Sequence, residues 1–293
     1  MNRFREHSQK EGQPRNFIPL PLVINRMKHR NVTDQLNRSV TLSFPPRRIV
    51  SLVPSQTELL AWLGLEEEVV GLTKFCVHPA GWRREKQQVG GTKQVKAERI
   101  AALRPDLIIG NKEENVREQI EALAADYPVW LSDVGDLDDA LDMIRRIGAL
   151  TDRRAAADAL AQDIEAAFEG LAKAAAAAAP PRAAYLIWRR PYMVVGANTF
   201  IDDILRRAGF VNAFGERSRY PAVTAEDLAA ARADLLLLSS EPFPFREKHL
   251  DEFRRICPSA DIQIVDGEMF SWYGSRLLQA PAYFRNLRRK FSV

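Results

Sequence analysis

The sequence AERIAALRPDLII at residues 97–109 returns as AEDLAAARADLLL at residues 225–237. Each copy starts with good helix formers, crosses a short Arg-x-Asp connection and ends in an apolar run typical of a buried strand. Each run leads into a polar loop with a glutamate at the matching place, Glu113 in the first copy and Glu241 in the second. The repeat therefore predicts two related α/β lobes.

The segments around the repeat continue this alternation of strand and helix. Apolar runs at residues 47–53 and 69–72 precede the first copy, and runs that end at Asp133 and Asp266 follow the two copies. Strands that alternate with helices indicate a mainly parallel sheet in each lobe. Two lobes leave a cleft between them, and small ligands bind preferentially in such clefts.

The longest helical pattern lies between the lobes. Residues 138–150 are amphipathic, and an alanine-rich stretch at residues 153–178 ends before a di-proline, which stops a helix. Ile164, Phe168 and Leu171 give that stretch an apolar stripe. A helix of this length spans roughly 39 Å. The pattern favours a rigid brace between the lobes over the alternative, a flexible alanine-rich linker.

The predicted fold class is therefore α/β, with two related lobes of mainly parallel sheet bridged by one long backbone helix. We expect a flexible basic N-terminal arm at 1–45, an N-terminal α/β lobe at 46–137, an inter-lobe helical region at 138–181 and a C-terminal α/β lobe at 182–293. Because the brace limits hinge motion, we expect only a small closure on ligand binding.

Composition excludes several classes of protein. The 42 basic and 38 acidic residues nearly balance, so the net charge of +4 does not indicate a nucleic-acid partner. Two cysteines, Cys76 and Cys257, do not make a disulfide framework. The short apolar run at residues 17–24 is broken by prolines, so we expect no membrane insertion and no signal peptide. This predicts a cytoplasmic protein as given, or a periplasmic one if the given start is wrong; Met27 is a second candidate start.

The loops that follow the predicted strands are rich in aromatic and charged residues. Ligands of open α/β sheets bind beyond the carboxyl ends of the strands, and flat aromatic faces with a few charges suit a large, planar, partly polar ligand. The alternative is that the aromatic residues only seal the packing of one lobe on the other. The candidates that these loops contribute are Trp188, Arg189, Arg190, Tyr192, Glu241 and Tyr273.

Cys76 and His78 are spaced as half of a metal site. Thiolate and imidazole both suit zinc and similar metals, but two ligands do not complete a site, so Glu241 or Glu268 would have to approach from the other lobe. The alternative is a buried thiol beside a loop histidine.

Three stretches of the first lobe resemble the cobalamin- and ferric-siderophore-binding proteins of ABC importers. They are VSLVPSQTEL at residues 50–59, VVG at 69–71 and ERIAALRPDLII at 98–109, and the resemblance extends over roughly residues 46–285. Further motifs at 75–79, 111–115 and 266–274 resemble a branch of this fold without signal peptides, the helical-backbone metal receptors. The resemblance implies two α/β lobes, a rigid helix between them and a ligand in a shallow cleft.

The resemblance also implies roles for individual residues. A tryptophan that packs on the ligand in cobalamin binders is replaced here by Thr92. Glu98 and Glu226 match the surface glutamates that the family presents to arginines of an ABC permease. The positions that match the family's ligand contacts are Ser55, Phe75, Tyr220, Phe270, Trp272 and Arg276.

These inferences support three functional hypotheses. The first is a solute-binding protein that holds a metal chelate, a cobalamin or other corrinoid or a ferric siderophore, and that requires no cofactor. In it, aromatic faces hold the chelate, while Arg189, Arg190 and Arg276 pair with its carboxylate or phosphate groups. The second is a cytosolic enzyme that uses the same fold, and the third is a direct metal-ion receptor centred on Cys76 and His78. The enzyme would draw on Glu113, Glu241, Glu268, Cys76 and His78.

Overall fold

An antiparallel β-hairpin opens the part of the chain that the structure, a computed structural model, describes, which is residues 28–175 and 179–289. Strand β1 (Lys28–Thr33) pairs along its whole length with strand β2 (Ser39–Phe44). The prediction of a flexible arm through residue 45 is therefore wrong for residues 28–45. Residues 1–27 of that predicted arm lie outside the described residues.

The hairpin is anchored by a short apolar alternation and a hydrogen-bonded turn. Val40 and Leu42, two residues apart on β2, are buried in the main core. The buried Asp34 carboxylate accepts hydrogen bonds from the main-chain N–H groups of Leu36 and Arg38 at 2.9 and 2.8 Å. Two apolar positions are too few to give a periodic signal, so the sequence pattern alone could not reveal this hairpin.

The N-terminal lobe is built on a sheet whose described strands all run parallel to their neighbours. Across the sheet, in the order 5-4-3-6-7, the strands are β3 (Ile49–Ser51), β4 (Val69–Leu72), β5 (Gln87–Gln88), β6 (Leu107–Asn111) and β7 (Val129–Ser132). The helices of this lobe are α1 (Pro54–Trp62), α2 (Trp82–Glu85), α3 (Ala97–Leu103) and α4 (Arg117–Ala124). They serve as the crossovers that parallel neighbours need.

The C-terminal lobe has a mixed sheet in the order 11-9-8-12-13, with β10 also paired to β8. Its strands are β8 (Arg182–Trp188), β9 (Tyr192–Val194), β10 (Val211–Asn212), β11 (Ala222–Val223), β12 (Leu235–Ser239) and β13 (Asp261–Val265). Its helices are α7 (Phe200–Arg207), α8 (Ala225–Ala230), α9 (Leu250–Ile256), α10 (Gly267–Ser271) and α11 (Ala280–Arg289), with 3₁₀ turns at Glu247–His249 and Ser275–Leu278. Among the described strands of this lobe, β9 pairs antiparallel with β8 and with β11, and the other pairs are parallel, so the prediction of mainly parallel sheets is confirmed.

The internal repeat occupies equivalent places in the two sheets. Its strand is β6 in the first lobe, between β3 and β7, and β12 in the second, between β8 and β13. Arg104 and Arg232, in the two Arg-x-Asp connections, both adopt left-handed backbone with φ of 44° and 47°. The two copies therefore share a backbone path as well as a sequence pattern.

The repeat's aspartates fasten each lobe in the same way. Arg48, just before β3, donates its main-chain N–H to the Asp106 carboxylate at 2.8 Å. Arg182, the first residue of β8, donates its main-chain N–H to Asp234 at 2.7 Å. The guanidinium groups of the same two arginines cap the carbonyls at the ends of α3 and α8. These matching contacts confirm two related lobes.

Two consecutive helices connect the lobes. Helix α5 (Leu137–Leu150) packs along α6 (Arg154–Ala175), which spans roughly 33 Å at 1.5 Å per residue. The predicted helix is thus confirmed from Arg154 to Ala175, and residues 176–178 lie outside the described residues. Its stripe at Ile164, Phe168 and Leu171 is buried in one core that takes side chains from both lobes.

None of the helices in the described ranges combines the length and apolar character that crossing a membrane requires.

Candidate functional site

The carboxyl ends of the strands in the two lobes face each other, and side chains from both lobes meet there. Tyr273 follows α10 and Glu114 follows β6. The Tyr273 hydroxyl donates a 2.7 Å hydrogen bond to Glu114 Oε1. Gly274 lies so close to α1 that a Cβ atom on it would be 2.7 Å from the Ser55 carbonyl oxygen. The cleft expected between the lobes is therefore bridged by direct contacts.

A cluster of charged groups, Glu58, His78, Glu268 and Arg276, spans the lobes beside this contact. Arg276 donates from Nη2 and Nε to the two carboxylate oxygens of Glu58, at 2.6 and 3.1 Å. Its Nη2 also lies 3.2 Å from Glu268 Oε2, and His78 Nε2 lies 3.2 Å from the same oxygen. We call these four residues the interlobe ion cluster. Burial raises the pKa of Glu58, and the opposing charge of Arg276 limits that rise.

Glu114 is the most perturbed carboxyl group of the cleft. Burial raises its pKa to about 7, although the hydrogen bond from Tyr273 opposes the shift, and the negative charge of Glu241 adds to it. The half-buried Tyr220 lies close enough for its own pKa to be raised by Glu114 as well as by burial. A carboxyl group in this position changes its charge near neutral pH.

Glu241 holds the aromatic segment of the second lobe in place. Its Oε1 accepts hydrogen bonds from the Ser271 hydroxyl at 2.7 Å and from the Trp272 indole N–H at 2.9 Å. The Arg276 guanidinium lies 5.2 Å from the centre of the Trp272 ring. Glu241 therefore holds Trp272 in place beside Arg276.

A second ion pair crosses the cleft. Arg219, which has left-handed backbone, pairs through Nη2 with the carboxylate of Glu113. The same guanidinium lies 5.6 Å from the ring centre of Tyr220. Sequence reasoning did not select Arg219, because nothing in its local pattern distinguishes it from other surface arginines.

The loop after β8 forms a separate cluster on the rim of the C-terminal lobe. Arg189 Nη2 lies 2.6 Å from Glu252 Oε2, and the Tyr192 hydroxyl donates to the other oxygen of Glu252. Trp188 is partly exposed, donates its indole N–H to the Arg190 carbonyl at 3.2 Å and packs edge-on against Phe243. None of these contacts joins the interlobe ion cluster.

Two arginines predicted to bind the ligand's acidic groups already have carboxylate partners. Arg276 is held by Glu58, and Arg189 is held by Glu252. Only Arg190 of the three predicted arginines is exposed without an ion pair among the described residues. Arg189 and Arg276 each belong to an internal ion pair formed with a residue distant in sequence, so the pairing of these two arginines with a ligand's acidic groups stays a prediction.

The predicted aromatic contacts divide between the surface and the core. Phe75 is 50% exposed at the carboxyl end of β4, as a ligand contact requires. Phe270, in contrast, is 0% exposed and packs 4.8 Å from Tyr185 and 4.7 Å from Phe284, measured between ring centres. The prediction that Phe270 contacts ligand is wrong, because α10 directs this side chain into the core. Ser55 is buried beside Tyr273.

Cys76 and His78 do not form a metal site together. The buried Cys76 thiol lies 3.0 and 3.2 Å from the hydroxyls of Thr57 and Thr73, and burial raises its pKa. His78 instead faces Glu268 in the interlobe ion cluster. Within residues 28–175 and 179–289, no group of three or more His, Cys, Asp or Glu side chains is placed to hold a metal ion. The metal assignment is therefore wrong, since the two side chains point to different surroundings.

Glu98 and Glu226 occupy equivalent exposed positions in the two lobes. Each lies in the first turn of its helix, α3 or α8, where the helix dipole favours a carboxylate. They are thus placed as the repeat predicts.

Comparisons with known proteins agree with this architecture. The model of a family described as "Periplasmic binding protein" matches residues 49–255. A vitamin B12-binding protein of Vibrio parahaemolyticus serotype O3:K6 is 25% identical over 199 residues, which are 67% of this chain and 71% of that protein.

Solved structures also agree with the two-lobed architecture. The periplasmic heme-binding protein RhuT from Roseiflexus sp. RS-1 superposes with a TM-score of 0.74 and 25% identity, over 84% of this chain and 97% of that one. The periplasmic vitamin B12-binding protein BtuF of Vibrio cholerae superposes with a TM-score of 0.72 at 20% identity, over 84% of this chain and 98% of that one.

Proposed function

The chain belongs to the periplasmic binding protein family, and from that premise we propose that it holds a metal chelate in the cleft between its two lobes. The observation that carries the proposal is the meeting of strand-end side chains from both lobes, as in the contact of Tyr273 with Glu114. Such a meeting point at the carboxyl ends of parallel strands is where α/β proteins bind small ligands.

As a member of this family, the chain is a binding protein and not an enzyme, and it carries a ligand in place of a resident cofactor. The residues that the enzyme hypothesis required have structural roles instead. Cys76 is a buried thiol hydrogen-bonded to threonines, Glu241 holds Ser271 and Trp272, and Glu113 pairs with Arg219.

We propose that the chelate is a corrinoid such as cobalamin. A ferric siderophore and a heme are the alternatives to be tested beside it. Support comes from the similarity to vitamin B12- and heme-binding proteins. It also comes from Phe75, whose half-exposed ring offers an apolar face at the cleft. The half-buried Tyr220 stands on the opposite lobe at a position where the resemblance places an aromatic contact, whereas Trp272, at another such position, is 6% exposed.

A thermal-shift titration of the purified protein tests this proposal. The probes are cyanocobalamin, dicyanocobinamide, hemin, ferrichrome and the divalent ions of zinc and cobalt. A ligand at a hundredfold excess over its Kd stabilises the protein by about 2.7 kcal/mol. We expect a clear rise in Tm with a chelate and none with the bare ions. A shift with bare ions only would overturn the chelate proposal.

A substitution at Phe75 then locates the site. Phe75→Ala is expected to weaken binding of the successful chelate roughly tenfold, because the aromatic face is lost. Ile264→Ala, which truncates another exposed apolar side chain on β13, serves as the matched control. If Phe75→Ala and Ile264→Ala both bind the chelate with the affinity of the unmodified protein, the ligand does not lie against Phe75.

We also propose that the protein delivers its chelate to an ABC permease through Glu98 and Glu226. Both carboxylates are exposed at matching places on the two lobes, so they can engage two copies of a permease subunit together. Glu98→Arg and Glu226→Arg are expected to abolish stimulation of the permease's ATPase in proteoliposomes without changing chelate affinity. Glu118→Arg, on the exposed face of α4, is the control.

The family description leads us to propose the periplasm as the place of action, a location the comparisons favour over the cytoplasm expected from the sequence. Fractionation of cells that produce a C-terminally tagged chain tests this location. Recovery of the tag with cytoplasmic markers would contradict it.

A further inference from the structure

A groove of about 930 Å³ lies on the N-terminal lobe beside Phe75, apart from the interlobe ion cluster. Four cationic side chains line it, Lys74, Lys93, Lys96 and Arg99, and its lining includes no aspartate or glutamate. We call it the basic groove. Four like charges around one depression produce a positive potential that attracts anions.

The charges of the basic groove are not neutralised within the protein. Among the described residues, none of the four cations forms an ion pair with a carboxylate. Arg99 donates to the Gln88 carbonyl at 3.0 Å, and Lys74 Nζ lies 4.9 Å from the centre of the Phe75 ring. All four side chains are exposed, so they are free to turn toward a bound anion.

The backbone keeps the aromatic floor of the groove open. A Cβ atom on Gly91 would lie 3.2 Å from Phe75 Cε2 and 3.5 Å from Lys74 Cε. A side chain at this position would therefore press on the Phe75 ring and on the aliphatic chain of Lys74. Glycine here leaves the Phe75 face and the cation beside it accessible together.

The groove also connects to the cleft. Lys93 Nζ donates to the Glu113 carbonyl oxygen at 2.5 Å, and the Glu113 side chain pairs across the cleft with Arg219. Asn115, behind the same loop, donates its side-chain N–H to the Thr92 carbonyl at 3.1 Å. A ligand in the cleft that lies against Phe75 would therefore reach the basic groove without leaving the protein surface.

We propose that the basic groove is a subsite for the anionic arm of the chelate, so that the ligand of this protein carries oxyanions on one edge. This inference rests on the proposed function and narrows its substrate class. Carboxylate and phosphate oxygens are the two sources of that chemistry, and both accept charge-assisted hydrogen bonds from lysine and arginine.

Pairs of probes with and without the anionic group test for recognition of charge. Hemin carries two carboxylates that hemin dimethyl ester lacks, and this pair differs little in shape. Cobalamin carries a phosphodiester that cobinamide lacks together with the attached ribose and base, so for this pair the dependence on salt distinguishes charge from shape. The measurement is Kd by quenching of intrinsic fluorescence at low and high salt. For at least one pair we expect the anionic member to bind about tenfold or more tightly, with an advantage that shrinks as salt screens the charges.

Substitutions assign the preference to the groove. Lys93→Gln with Lys96→Gln is expected to remove the advantage of the anionic member and to leave the affinity of its neutral partner unchanged. Lys74→Gln with Arg99→Gln is a second, independent variant. The control is Lys112→Gln, an exposed lysine that pairs with Asp133 outside the groove.

The outcomes distinguish this inference from the function on which it rests. If no chelate binds the unmodified protein, the proposed function is rejected and the subsite with it. If chelates bind, but each pair binds equally or the groove variants keep the full preference, the subsite is overturned and the binding function stands. A circular dichroism spectrum of each variant shows that its fold is retained.

Discussion

The Tyr273 hydroxyl of the C-terminal lobe donates a 2.7 Å hydrogen bond to Glu114 Oε1 of the N-terminal lobe. Glu114 is thus a half-buried carboxyl group between the two lobes, and its charge interacts with Glu241 and Tyr220 of the C-terminal lobe. Because a buried carboxylate is costly, the protonation of Glu114 and the approach of the lobes are coupled.

This coupling predicts how stability depends on pH. The pKa of Glu114 is about 7 in the folded protein against an ordinary value of 4.5. Between these values the folded protein keeps a proton that the unfolded chain has released, so this group lowers stability as pH rises. We expect Glu114→Gln to gain stability over the unmodified protein between pH 5 and pH 8, by up to about 2 kcal/mol. Urea unfolding at several pH values measures it.

The control is Glu118→Gln, because Glu118 is exposed on the neighbouring helix α4. Its difference from the unmodified protein should stay constant over the same pH range. A constant difference for Glu114→Gln as well would show that Glu114 ionises as an ordinary carboxyl group.

Arg276 is expected to be the most consequential charge of the interlobe ion cluster. Arg276→Gln leaves Glu58 and Glu268 without their shared cation in a poorly solvated place, so we expect a loss of about 2–3 kcal/mol in the free energy of unfolding. Arg117→Gln, which breaks an exposed pair with Glu121, should change the free energy of unfolding far less, because solvent screens that pair. The double variant Glu58→Gln with Arg276→Gln tests whether the two residues act together. If its loss of stability equals the sum of the losses in the two single variants, Glu58 and Arg276 are not energetically coupled.

Gly274 permits the close approach of the lobes, and alanine at this position is expected to prevent it. The added Cβ would meet the Ser55 carbonyl oxygen at 2.7 Å, so Gly274→Ala should cost about 1–3 kcal/mol and weaken chelate binding. Gly170→Ala is the matched control, because a Cβ on Gly170 in α6 would meet nothing within 4 Å. That change should stabilise the protein by about 0.5–1 kcal/mol. Equal Tm values for both variants would refute the steric argument.

The shared backbone of the repeat gives a prediction at two positions. Arg104 and Arg232 adopt left-handed φ values of 44° and 47°, where a Cβ atom is unfavourable. At each position the glycine variant should be more stable than the alanine variant by about 1 kcal/mol. Thermal unfolding of the four variants compares the two lobes. A preference for alanine at either position would show that the two connections differ.

Features carried by local pattern could be predicted from the sequence. The repeat identified β6 and β12 with the helices before them, because the same spacing of apolar residues recurs in both copies. The buried stripe at Ile164 and Phe168 identified α6, since helical periodicity is a property of neighbouring residues. The sequence also predicted that the loops after the strands lie at the cleft, because parallel strands have their carboxyl ends at the same edge of a sheet.

Features that depend on distant partners could not be predicted. Nothing near Arg189 indicates that its partner is Glu252, and nothing near Arg276 indicates Glu58. The direction of a side chain on a short helix is equally hidden, so the sequence could not show that Phe270 is buried. Long-range pairing and side-chain direction thus set the limit of the sequence analysis.

The packed helices α5 and α6 have a consequence for the kinetics of capture. Their side chains belong to the same core as those of both lobes, so a large rotation of one lobe would have to break that core. A site that needs little rearrangement spends little of its interaction energy on ordering the protein. Arrival of the chelate should then be set by diffusion and charge, and the time it stays bound by the contacts in the cleft. In such a molecule, differences in affinity between cargoes are differences in residence time.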